Sequence, residues 1–182
     1  STLNTPVWKR PLSVLDVEML IKDYYDPYYQ GLIEQTKRLK PLLGLDCHSM
    51  LATDPFDQSQ PKRPLFCISN RGGFDGEFLD EPITAPAAYM QAFKKQLEAV
   101  FGFGTVQINQ PFKGGALIQQ MHALTNIPWI QLEINRQLYV PDKETLTLMP
   151  EGPWLMQILV LKEQLFNALE MFIETIKQKK IL

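Results

Sequence analysis

Four short apolar runs, at residues 42–47, 65–69, 105–108 and 129–134, alternate with longer stretches of helical spacing. That alternation is the strongest constraint on the fold. Strands that take turns with helices build a layered α/β sheet, because each apolar helix stripe needs a sheet face to cover it. The 182 residues fit one domain and can bury a sizeable core.

The helices are read from apolar period and punctuation. Residues 1–12 hold Pro6 and Pro11 and read as an extended lead-in. Ser13 with Asp16 gives a capping signal for a helix through about residue 22. Asp26-Pro27 interrupts it, and Tyr28, Leu32, Ile33 and Leu39 share one face of a second helix. Residues 87–101 place Tyr89, Phe93, Leu97 and Val100 inward, with Gly102 and Gly104 ending the segment. Residues 116–122 form a short helix and 155–179 a long terminal one. Prolines 55, 61 and 64 mark residues 51–64 as a loop, and loops 70–76 and 109–115 are rich in turn residues.

Charge and cysteine content exclude several classes. A net charge of −2 carries no electrostatic footprint for nucleic acid. Apolar runs are too short to cross a bilayer, and the N-terminus lacks a basic segment followed by an apolar one. A cytoplasmic protein is the expectation. Two cysteines, Cys47 and Cys67, do not make a disulfide scaffold; lying in apolar strands, both are expected as buried thiols.

Two strands end in ionisable residues, where an open α/β sheet gathers ligands. The first delivers His48, with Asp46 two residues earlier on the same face. His48 reads either as a metal ligand oriented by Asp46 or as a core histidine bonded to a neighbouring strand. The second delivers Glu133 between Leu132 and Ile134. A carboxylate on an interior strand needs a partner. It reads either as one half of an ion pair with Arg136 or as a general base whose pKa burial has raised. Asn70, Arg71, Lys113 and Arg136 follow strands and suit recognition of an acidic substrate, or are solvated loop groups. His122 fits a cap position. Ser49 lacks a Gly-x-Ser-x-Gly context, and Cys47 points away from His48, so neither makes a nucleophile dyad.

Four stretches together resemble the N-formylglutamate amidohydrolase family. They are Asp46-Cys47-His48-Ser49-Met50, Ser69-Asn70-Arg71-Gly72-Gly73, Asn109-Gln110-Pro111-Phe112-Lys113-Gly114-Gly115 and Gln131-Leu132-Glu133-Ile134-Asn135-Arg136. The resemblance implies a three-layer α/β/α sandwich with a mixed sheet, of the zinc-carboxypeptidase and phosphorylase/hydrolase-like kind. It implies zinc-dependent hydrolysis of the amide in a small acidic N-acyl amino acid such as N-formylglutamate. His48 is then the last of three zinc ligands, and Glu133 the carboxylate that moves the proton. Asn70, Arg71, Lys113 and Arg136 would meet the substrate carboxylates. The family's first ligands surround a Pro-His-Ser-Gly segment, which this sequence does not contain. The expectation is a chain that starts downstream of it, with a bare sheet edge open to self-association or to a separate N-terminal piece. A shortened member that binds without catalysing is the alternative.

Overall fold

The computed structural model describes residues 8–56, 59, 62–140 and 151–178. Its chain order is α1 (Val14–Leu20), a π-helical turn (Ile21–Tyr25), α2 (Asp26–Leu39), β1 (Gly44–Met50), β2 (Phe66–Ser69), α3 (Ala87–Phe101), β3 (Val106–Ile108), α4 (Ala116–Thr125), β4 (Trp129–Asn135), a 3-10 turn (Arg136–Leu138) and α5 (Gly152–Gln178). Residues 1–7 of the expected lead-in lie outside the described residues.

The four strands form one mixed sheet in the order β1-β4-β2-β3. β1 runs parallel to β4 and β2 parallel to β3, while β2 and β4 are antiparallel. The sheet therefore has two opposed halves. The carboxyl ends of β1 and β4 point one way, those of β2 and β3 the other.

Period-2 alternation divides the sheet into an apolar and a polar face. Phe66, Ile68, Val106, Ile108, Ile130 and Leu132 lie in the main core, with Tyr89, Phe93 and Leu97 of α3 and Ala168, Phe172 and Ile176 of α5. Phe93 stacks on Phe172 at 4.6 Å between ring centres, and Tyr89 meets the same ring edge-on. The opposite face carries Trp129, Gln131 and Glu133. There Trp129 packs with Tyr29 of α2 and with Ile118 and Met121 of α4. Helices thus cover both faces, and the mixed α/β architecture expected from the alternation is the observed one. No helix among the described residues is long and apolar enough to cross a membrane.

The expected break at Pro27 is instead a change of helix type. Proline lacks an N–H, and its ring crowds the carbonyl four residues back. A π-helical turn widens the backbone just before it, with the Asp26 N–H bonded to the Ile21 carbonyl. The capping signal at Ser13 forms in full: its backbone N–H donates to Asp16 Oδ2 at 2.8 Å, and its Oγ accepts from the Asp16 N–H at 3.2 Å. α1 nevertheless buries none of its residues. α4 continues past His122 to Thr125 with Asn126 as its C-cap, and the His122 ring lies 2.8 Å from the Ile127 carbonyl just beyond that end.

Gly44 opens β1 directly against the Trp129 indole, where a Cβ would overlap the ring. Gly44→Ala is expected to destabilise the fold by about 1–3 kcal/mol through overpacking. Denaturant unfolding of the variant measures this; an unchanged midpoint would show that the indole moves aside freely.

Candidate functional site

Strand register assembles the polar face. β1 continues three residues past its expected end, and pairing of all seven residues with β4 sets His48 opposite Glu133 and Asp46 opposite Gln131. On the other side of β4, Cys67 stands opposite Glu133 and Ser69 opposite Gln131. Residues paired across strands share a face. Asp46, Gln131 and Ser69 therefore form one row, and His48, Glu133 and Cys67 the next.

Asp46 faces His48, as their two-residue spacing on one side of β1 predicts. Its Oδ2 lies 2.9 Å from His48 Nε2. A hydrogen on Nε2 facing that carboxylate would leave Nδ1 as the ring nitrogen free to act as a ligand. The His48 side chain is about half exposed, at 48%.

Glu133 is only 7% exposed. Gln131 Nε2 donates to its Oε1 at 3.1 Å, and Gln131 Oε1 accepts from the Gly115 N–H at 2.8 Å. One amide thus joins the carboxylate to the loop that follows β3. Burial pushes the Glu133 carboxyl above its ordinary value. His48 and the Gln131 bond pull it down, Asp46 pushes it up, and Arg63 lowers it, leaving the raised direction as the balance. The folded state then keeps this proton to higher pH than the unfolded chain does. The stability this group contributes is full in acid and is lost as pH rises through the raised value. Thermal melts of the wild type and of Glu133→Gln, from acid to neutral pH, are expected to diverge in that direction, the variant losing less; parallel curves would contradict the raised carboxyl.

The ion pair between Glu133 and Arg136 does not form. β4 gives way to a 3-10 turn at Arg136, and Arg136 Nε donates to Ser49 Oγ on β1 at 3.2 Å. The cation near Glu133 is Arg63, which the sequence does not single out. Arg63 bonds Asp54 at 3.0 Å and lies 5.2 Å from the centre of the Phe112 ring.

The remaining candidates lie toward the other end of the sheet. Ser69, the last residue of β2, stands level with Gln131, two strand positions and roughly 7 Å from Glu133. Asn70 follows it and is fully buried. Its Nδ2 donates to the Gly76 and Ala85 carbonyls at 2.7 and 2.8 Å, and its Oδ1 accepts from the Gly72 N–H and Asn109 Nδ2. Asn109, at φ 55°, returns a bond by accepting the Asn70 N–H at 2.9 Å. This amide pair knits loop 70–76 to loop 109–115. Arg71 and Lys113 line one cleft beyond it. The cysteines divide: Cys67 is buried, with burial pushing its thiol up, while Cys47 is exposed rather than buried because β1 is an edge strand.

Residues 1–140 match the family model of N-formylglutamate amidohydrolase. The chain belongs to that family. The N-formylglutamate amidohydrolase of Ralstonia eutropha JMP134 superposes on it with a TM-score of 0.67 at 24% sequence identity, over 96% of this chain and 59% of that one. That likeness shows the fold, and the chain spans about three-fifths of that relative's length. No curated protein matches it.

A catalytic zinc takes three protein ligands and keeps one position open. Among the described residues, no group of three His, Cys, Asp or Glu is placed to hold a metal. His48 offers one imidazole nitrogen, and the described residues do not complete the set.

Proposed function

We propose that this family member hydrolyses the amide of a small acidic N-acyl amino acid, with N-formylglutamate as the first substrate to try. The observation that carries the reading is Glu133: a nearly buried carboxylate with a raised pKa, held by Gln131 and set beside His48. A carboxylate in that condition is a stronger base than one in water. In the proposed reaction Glu133 takes a proton from water as the oxygen attacks the formyl carbon. The C–N bond then breaks, and Glu133 returns the proton to the leaving amine. Formate and the free amino acid are the products. Arg71 and Lys113, and Arg136 at the opposite end, are the cations proposed to hold substrate carboxylates.

Zinc binding at His48 belongs to the same proposal and calls for two ligands besides it. The chemistry a zinc ion would supply is polarisation of the acyl oxygen and a lowered pKa for water. Titration of the metal-free chain with zinc is expected to show weak binding that His48→Ala abolishes. Binding unaffected by the substitution would remove His48 from this role.

The incomplete donor set favours one other reading, a ligand-binding member without turnover. Formate release from N-formylglutamate, assayed with zinc present, decides between the two. Release supports hydrolysis; glutamate binding without release supports the binding protein.

A further inference from the structure

The loops after β2 and β3 meet at a cleft of about 250 Å³ lined by Arg71, Leu79, Asp80, Glu81 and Lys113. The Arg71 backbone N–H donates to the Lys113 carbonyl at 2.8 Å, which fixes the two cationic residues next to each other. Arg71 holds φ at 69°, a left-handed conformation that residues with a side chain seldom adopt outside functional or tightly constrained positions.

The guanidinium is only partly matched. Nη1 donates to the Gly114 carbonyl at 3.2 Å, and Nη2 donates to Glu81 Oε2. Nε is buried and has no hydrogen-bond partner among the described residues. Nε–H and Nη2–H lie along one edge of the planar group, the edge that grips a carboxylate with two parallel bonds. Glu81 engages Nη2 alone, and Nε of that edge is left without a partner among the described residues. Its side chain is 58% exposed, against 18% for Arg71. An exposed carboxylate gains little from such a pair and gives it up readily.

We propose that this cleft binds a carboxylate group of the ligand, and that Glu81 is a resident carboxylate which occupies the Arg71 fork until the ligand displaces it. The inference rests on the acidic-ligand reading given above and names the position of one acidic group. With Glu81 turned out, Arg71, Lys113 and Asp80 leave the lining with one net positive charge. One incoming carboxylate neutralises it and takes both Nη2–H and Nε–H.

The test is calorimetric titration of the full chain with L-glutamate, using the wild type, Glu81→Gln, Asp80→Asn, Arg71→Lys and Lys113→Met. Glu81→Gln removes the competitor and is expected to tighten binding about fivefold, the size of an exposed ion pair. Arg71→Lys and Lys113→Met are expected to weaken it about tenfold or more, since each removes a partner of an ionised carboxylate. Asp80→Asn removes the same charge one residue away without a bond to Arg71, and is expected to change affinity much less. Equal tightening by Asp80→Asn and Glu81→Gln would reveal a general charge effect and overturn displacement. So would unchanged affinity in Glu81→Gln, or no binding to either wild type or Glu81→Gln. Thermal melts confirm that each variant is folded, and Glu81→Gln decides the matter even if the Arg71 variant does not fold. The expected affinity pattern without formate release would reject the proposed reaction and support the cleft.

Discussion

Glu133→Gln is expected to abolish hydrolysis, lowering kcat by about 10²–10⁴-fold, the usual contribution of a positioned proton carrier. Glutamine keeps the shape and can still accept the Gln131 amide hydrogen through its own carbonyl oxygen. It cannot take a proton from water. The pattern of kinetic loss matters as much as its size. An interaction made only in the transition state lowers kcat and kcat/KM together and leaves KM alone. A rise in KM with kcat intact would place Glu133 in ground-state binding. Full turnover in the variant would remove it from the reaction altogether. Calorimetric binding of glutamate to the same variant supplies the control, because the Arg71 cleft is separate from the carboxylate.

Asn70→Ala is expected to destabilise the chain by about 2–4 kcal/mol, a large effect for one polar side chain. The amide makes four hydrogen bonds in a fully buried position. Its removal leaves the carbonyls of Gly76 and Ala85 and the Gly72 N–H without that partner, and leaves the Asn109 Nδ2 with the Gly73 carbonyl alone. The loss is expected to be structural, with loop 70–76 released from loop 109–115. Urea denaturation measures it. A stable variant with only weakened ligand affinity would make Asn70 a ligand contact instead of a scaffold.

These two residues mark how far the sequence is legible. Residues 87–101 show helical spacing that ends at glycine, and α3 spans that range. Alternation identifies the polar face of β4, and Glu133 stands on it as expected. The same alternation in Gln131-Leu132-Glu133-Ile134-Asn135 marks Gln131 and Asn135 for that face. Asn70 is ambiguous for a chemical reason. An amide donates and accepts equally well to a substrate or to backbone, and only the approach of Gly76, Ala85 and Asn109 decides. The partner of Arg136 turns on a 3-10 turn that no periodicity announces. Cys47 is exposed because β1 lies at the sheet edge, and strand order is a tertiary fact. The strand-to-strand direction change between β4 and β2 is equally silent in the sequence, and it moves Asn70, Arg71 and Lys113 toward the far end from His48.

The two faces of β4 carry a consequence for how such a chain can vary. Glu133 and its neighbours Leu132 and Ile134 serve opposite sides of one strand, so a single residue inserted or deleted before them would turn the carboxylate into the packing of α3 and α5. Loops on either side can lengthen or shorten with small effect. Within these seven positions, a change of length would cost chemistry and stability together.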